Sequence, residues 1–390
     1  MTTWPHNLSR RGFLGGAAGF MLVSALQSPL PESRNRKLVV IIARGGMDGI
    51  SVTPPIGDAN YQALRQEITV TAPLKLDRDF GLNPSLVNYQ KLMLAGQARF
   101  APAVAIPVRE RSHFEAQDLL ENGGGRLYAA ETGWLNRALD ATGPARGRGL
   151  AVGVDMPLVI RGPVQVGAWN PDEAQTTPNS RITTILQDLY KRDPLLGGAL
   201  ASGIAVQTQT KGVGNERTRQ NDLRSFGASV AKLMNAPGGP NVVSLSQQGF
   251  DTHQRQGANT GLLASRLKLL DDFIAGLQEN LGPEWNNTMV VVATEFGRTA
   301  RMNGTGGTDH GTASTVLLAG GAVRRGGIIG DWPTLADNRL FEQRDLAPTL
   351  DVRAIFKGVL ADHLGVDRAA LDTKVFPDSA SVTPVPNLVV

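Results

Sequence analysis

The stretch "TGLLASRLKLLDDFIAGLQENLGPEWNNTMVVVATE", Thr260 to Glu295, decides the fold class. Leu263, Leu267, Leu270, Phe273 or Ile274, Leu277 and Leu281 recur at three- and four-residue spacing, the apolar stripe of an amphipathic helix. Gly282 and Pro283 end it. The following "TMVVVAT" (288–294) is apolar and β-branched without alternation, the pattern of a strand buried on both faces. "NVVSLS" (241–246), upstream of the helix, has the same character. Strand, helix, strand is a βαβ unit, and its two strands run parallel.

Further runs of this kind lie outward along the chain, at "KLVVIIA" (37–43), "ARFAPAVAI" (98–106) and "STVLLAGG" (314–321). "DVRAIFKGVLADHLG" (351–365) reads as a closing helix. The expected architecture is α/β, a three-layer α/β/α sandwich around a mostly parallel central sheet, with residues 35–390 as one domain. The segment 123–240 is irregular, holding "GPARGRG", "GAWNPDEAQTTPNS" and "QTQTKGVGNERTRQND", and is expected to be an insertion or lid that interrupts the sheet.

Composition excludes several function classes. A chain of 390 residues, 41% hydrophobic and 19% charged, is an ordinary globular protein with room for a large core. The net charge of +4 is spread over scattered lysines and arginines with no basic block and no interleaved aromatics, so no nucleic-acid partner is expected. The absence of cysteine excludes disulfides, thiolate metal sites and a cysteine nucleophile.

The N-terminus reads as an export signal. Arg10 and Arg11 precede an uncharged stretch, Gly12 to Leu26, that is shorter than the ~20 residues of a membrane span. Ser9-Arg10-Arg11-Gly12-Phe13-Leu14 resembles the twin-arginine (Tat) motif, and Val23 and Ala25 suit a cleavage site. Residues 1–34 are therefore expected to be a Tat signal peptide and short linker. The translocation machinery is then a transient partner, the mature chain keeps no stable membrane span, and it is periplasmic or secreted.

In open α/β sheets ligands bind beyond the carboxyl ends of the strands. Asp48 follows the run at 37–43; Arg109, Arg111, Ser112 and His113 follow 98–106; Asp251 and His253 follow 241–246; Glu295 follows 288–294; Asp309 and His310 precede 314–321. Of five histidines, three sit at these points, and imidazole with carboxylate oxygen suits a divalent ion. Ser112 either caps the helix that begins at His113 or acts as a nucleophile beside the helix N-terminus. Arg109, Arg111 and Arg298 either pair an anionic substrate group or are solvated surface charges.

These residues, with "DLAPTL" (345–350), resemble the alkaline phosphatase/sulfatase superfamily, including cofactor-independent phosphoglycerate mutase, and "RGGMDGIS", "RSHFEAQDLLENG", "GFDTH", "TEFGRT", "GTDHG" and "RDLAPTLDVRAIF" carry a second likeness. The likeness to a Tat-exported family of unknown function allied to that superfamily is closer and spans nearly the whole chain. The resemblance implies an alkaline-phosphatase-like fold and esters of phosphoric or sulfuric acid as substrates. It implies Asp48, Asp251, His253, Glu295, Asp309 and His310 as ligands of one or two divalent ions (Zn, Mn, Ca or Mg), and Ser112 as nucleophile. His113 then orients the nucleophile or acts as acid/base, and Arg109 or Arg298 holds the non-bridging oxygens. Two departures stand out: Phe296 occupies a position where the superfamily has a histidine, and Asp251-Thr252-His253 is shorter than its usual spacing. Ser112 is followed by His-Phe-Glu, so the sulfatase formylglycine signature is absent.

The function expected is thus an exported metal-dependent hydrolase of phosphate or sulfate esters, with Ser112 or a metal-bound water as nucleophile and a small anionic ester as substrate. The alternative is a non-catalytic exported binding or assembly protein that keeps the fold with an incomplete metal site. A third reading pairs Glu295 and Asp309 as the carboxylates of a glycosidase-like or lyase-like enzyme.

Overall fold

The computed structural model describes residues 36–143, 147–170, 180–190, a few positions between 193 and 204, and 222–390. The expected signal peptide and linker, 1–34, lie outside the described residues, as does much of 171–221.

Among the described residues the central sheet has eight strands: β1 (Lys37–Ala43), β2 (Ala98–Ala105), β3 (Gly149–Val152), β4 (Gly167–Trp169), β5 (Val242–Gln247), β6 (Thr288–Ala293), β7 (Ser314–Ala319) and β8 (Leu350–Asp351). Their spatial order is β8-β2-β7-β6-β1-β5-β3-β4. β1 lies near the centre, parallel to β5 and β6, with Val39 opposite both Val243 and Val290.

The sheet is buried on both faces, as the unalternating runs require. Leu38, Val40 and Ile42 of β1 point into one apolar layer, against helices α2 (His113–Asn122), α3 (Trp134–Thr142) and α6 (Val352–Leu364). Val39, Ile41 and Ala43 point into the other, against α1 (Val87–Ala95), α4 (Leu223–Asn235) and α5 (Leu262–Leu281). The fold is thus a three-layer α/β/α sandwich with a mostly parallel central sheet. Helix α5 buries Leu263, Leu267, Leu270, Phe273, Ile274, Leu277 and Leu281 as its spacing requires. It stops at Gly282, whose φ of +57° leaves the helical region. α4 and α5 approach backbone to backbone, since a Cβ on Gly227 would stand 2.2 Å from the Phe273 carbonyl oxygen.

Two features differ from the sequence expectation. The described part of 123–240 extends the sheet: β3 and β4 form its far edge, and α3 and α4 belong to the outer layers. Strands of four and three residues are too short to show a period, which is why the region reads as irregular. Secondly, β7 runs antiparallel to both β6 and β2. No helix crosses over between β6 and β7, so residues 294–313 stay at one end of the sheet. That reversal is what brings Asp309 and His310, which precede their strand, to the ends that the other candidate residues follow. Among the described residues no helix is long and apolar enough to cross a membrane.

Candidate metal centre

The loops at this end are held close by glycines. Gly45, with φ of +115°, lets the turn after β1 lie on the Phe250–Asp251 backbone, where a Cβ would stand 2.4 Å from the Asp251 amide nitrogen. Gly297 admits no side chain, because a Cβ would meet the Ala313 carbonyl oxygen at 1.7 Å. The turns after β1 and β5 therefore pack directly together, as do the turn after β6 and the approach to β7.

Three histidines and one aspartate meet there. The Nε2 atoms of His253 and His310 are 3.0 Å apart, and each faces Asp251 Oδ1, at 3.0 and 3.3 Å. His113 Nε2 comes from α2 to within 3.4 Å of Asp251 Oδ2. That nitrogen is buried and has no hydrogen-bond partner among the described residues. One ligand atom each from His113, Asp251 and His310 lies within 4.8 Å of the others, and His253 adjoins this group through Asp251 and His310.

Each ring is turned by what its other nitrogen touches. His113 Nδ1 meets Glu295 Oε1 at 2.9 Å, His253 Nδ1 meets Asp309 Oδ1 at 3.3 Å, and His310 Nδ1 meets the Arg111 carbonyl oxygen at 2.8 Å. These acceptors favour protons on Nδ1, and in that tautomer three Nε2 lone pairs converge on one carboxylate. Histidines that ligate metals have this arrangement, in which an acceptor fixes the tautomer and aims the free nitrogen. Without an ion, two imidazole nitrogens 3.0 Å apart share at most one proton, and the His113 nitrogen is left unsatisfied. The donor set therefore fits a divalent cation.

The electrostatics follow from these contacts. Burial pushes the Glu295 carboxyl upward, but hydrogen bonds from His113, Gln117 and the Gly45 amide outweigh it and hold it below its ordinary range. Asp251 also sits low, because Arg298 Nη1 at 2.7 Å outweighs desolvation. His113 is raised, chiefly by its bond to Glu295, whereas burial lowers His310. Asp309 is lowered, first by its hydrogen bond from Asn303.

Other candidates take other places. Glu295 and Asp309 touch the imidazoles and serve as their acceptors. Asp48 is fully buried, ion-paired with Arg65 and accepting from Gln256 Nε2 at 2.6 Å; it is linked to the cluster indirectly, through Gln256, Thr308 and Arg298 on one side and through Arg65, Thr299 and Asp309 on the other. Arg298 is buried and spends its guanidinium on Asp251, the Gly45 carbonyl and Thr308, so it braces the site from behind. Arg109 Nη1 donates to the Ile106 carbonyl at 2.6 Å. Arg111 binds Asp345 and Glu342. Ser112 is the N-cap residue of α2, yet its hydroxyl makes no cap bond; Glu110 accepts from the amides of Arg111 and Ser112 instead. Phe296 is buried beneath the site, its ring 4.9 Å from His113 and 4.8 Å from His310.

The sequence reading missed Gln117, Gln256, Arg65 and Asp345. Gln117 carried a signal, since His113, Gln117 and Glu121 recur every fourth residue on one face of α2. Gln117 donates to Glu295, and Arg44 binds both Gln117 and Glu121. Arg65 and Gln256 lie far in sequence from Asp48, and nothing local pairs them.

The chain belongs to the family described as "Protein of unknown function (DUF1501)", whose model matches residues 35–375. No curated protein matches it. Among solved structures it is similar to Ps i-CgsB in complex with k-i-k-neocarrahexaose (13% identity, 88% of this chain and 76% of that one, TM-score 0.41). It is also similar to the zinc complex of the C-terminal periplasmic domain of EcEptC from Escherichia coli (11%, 93% and 94%, TM-score 0.38). A third is alkaline phosphatase from the Antarctic bacterium TAB5 (12%, 73% and 90%, TM-score 0.35).

Proposed function

We propose that this DUF1501 chain is an exported hydrolase of phosphate or sulfate esters that holds one divalent cation between His113, His253, His310 and Asp251. The observation that carries this reading is the common orientation of the three imidazoles, each anchored through Nδ1 and each turning Nε2 toward Asp251. Three imidazole nitrogens with one carboxylate suit Zn²⁺ better than Ca²⁺ or Mg²⁺, which take mainly oxygen ligands. When bound, the cation polarises an ester oxygen and offsets the charge of an anionic substrate.

The protein's own groups account for the rest of the chemistry. Ser112 stands at the N-terminus of α2 with a hydroxyl not consumed by capping, so it is the candidate nucleophile toward phosphorus or sulfur. The positive end of the helix dipole favours negative charge developing on its oxygen. Arg298 keeps Asp251 ionised and in place rather than gripping substrate. Export rests on the twin-arginine segment.

Purification of the mature chain, metal analysis and a screen of aryl phosphate monoesters, diesters and sulfates test the reading, with Ser112→Ala and His310→Ala alongside. Turnover that requires about one equivalent of metal and is lost in both variants supports it. A metal-free protein with no turnover under any metal supplement overturns it. Bound metal without turnover favours the binding or assembly reading instead, and activity surviving Ser112→Ala shifts the nucleophile to water. Replacing Arg10 and Arg11 by lysine tests export, with cytoplasmic retention expected.

A further inference from the structure

Asp345 lies outside the cluster, at the end of the chain's last long loop before β8. It is fully buried and receives four donors: Arg111 Nε at 3.1 Å, Arg111 Nη2 at 2.7 Å, Thr312 Oγ1 at 2.9 Å and Arg344 Nη1 at 3.0 Å. A carboxylate taken out of water is costly unless its lone pairs are filled, and these are. The two loops it ties together lead to two of the three histidines, His113 and His310. Arg111 immediately precedes Ser112 and His113, and Thr312 follows His310 by two residues.

The clamp reaches the imidazoles by a direct route. The guanidinium of Arg111 is held by Asp345, while the carbonyl of the same residue holds His310 Nδ1 at 2.8 Å. One arginine therefore fixes the orientation of His310 with its backbone and is itself fixed through its side chain. Glu342 also pairs with Arg111, at 2.6 Å, but at the solvent-exposed surface, where an ion pair contributes little.

We propose that Asp345 is a positioning residue which, through Arg111, holds the Ser112–His113 loop and the His310 loop in register and so sets the cation affinity of the site. The inference rests on the metal-centre reading above. It assigns work to two residues that touch neither the proposed cation nor a substrate.

Titration of the whole mature protein with Co²⁺ tests it, because the visible absorption of cobalt reports ligand geometry as well as affinity. Arg111→Ala removes the clamp while keeping the carbonyl that holds His310, and it leaves Asp345 the donors Thr312 and Arg344. Asp345→Asn removes the charge at nearly constant size, and Glu342→Ala removes only the solvent-side partner. Arg111→Ala and Asp345→Asn are expected to weaken Co²⁺ binding about 10- to 100-fold and alter its spectrum, with circular dichroism unchanged. Arg111→Lys recovers part of the loss, and Glu342→Ala stays within about twofold of the parent. A folded Arg111→Ala variant with parental affinity and spectrum overturns the inference while leaving the metal centre intact. A parent protein that binds no cobalt removes the metal-centre reading, and this inference with it.

Discussion

Glu295 Oε1 lies 2.9 Å from Nδ1 of His113 and also accepts from the Gly45 amide and Gln117. The carboxyl is held below its ordinary range, so it is an anion, and an anion at hydrogen-bond distance places the imidazole proton on Nδ1. The Nε2 lone pair is thereby pointed at Asp251. The second residue after β6 thus meets the first residue of α2, and a strand end that reads like a ligand in the sequence faces a histidine instead.

Replacing Glu295 by glutamine keeps the shape and removes the charge. Zinc affinity, measured by competition with a chromophoric chelator, is expected to drop about 10- to 100-fold, as for other partners of metal-binding histidines. Parental affinity in Glu295→Gln would contradict the role given to the His113 tautomer.

Asp48 and Arg65 form a buried ion pair apart from the three histidines. Arg65→Ala strands the carboxylate and is expected to cost about 3–5 kcal/mol in urea unfolding. Metal stoichiometry at saturation should stay at about one ion in Asp48→Asn, provided the variant folds. Loss of the ion in Asp48→Asn with His113, His253 and His310 intact would make Asp48 a ligand after all.

Chelation is a separate probe of the centre. Stripping with a strong chelator should lower the thermal midpoint, and one equivalent of Zn²⁺ should restore it, since a ligand that binds only the native state stabilises it by mass action. A midpoint that needs two equivalents to recover would argue for a second ion. His253→Ala should abolish most of the zinc-dependent shift while leaving the stripped midpoint within a few degrees of the parent's.

His363 offers a pH test away from the site. It is buried, Nε2 lies 2.8 Å from the Lys37 carbonyl oxygen, and burial pulls its pKa down to about 4 from 6.5. The native state keeps the ring neutral while the unfolded chain protonates it below 6.5. Its contribution to stability is therefore complete above pH 6.5 and is lost as the pH falls toward 4, by roughly 3 kcal/mol at most. In His363→Gln the fall in unfolding free energy between pH 7 and pH 4 should be smaller than in the parent. Asp251, Glu295 and Asp309, also depressed, add acid sensitivity to both proteins and cancel in the comparison. Equal slopes would show that His363 does not titrate in this way.

Much of this molecule follows from local rules. The stripe on α5 and the unalternating runs of β1, β5 and β6 specify elements buried on both faces of a sheet, because side-chain direction is fixed by backbone period. The sequence also determined which loops carry the candidate residues, since each is covalently tied to a strand or helix end. The direction of β7 was settled only by the tertiary structure, because a strand buried on both faces reads alike in either direction. So were the roles. Whether a carboxylate faces an open nitrogen, a ring it orients or an arginine that neutralises it depends, His253 beside Asp251 apart, on groups tens to hundreds of residues away. Asp48 meets Arg65 and Gln256, Glu295 meets His113, and Asp251 alone is left facing three imidazoles. Electrostatic partnership acts through space, and only folding sets those distances.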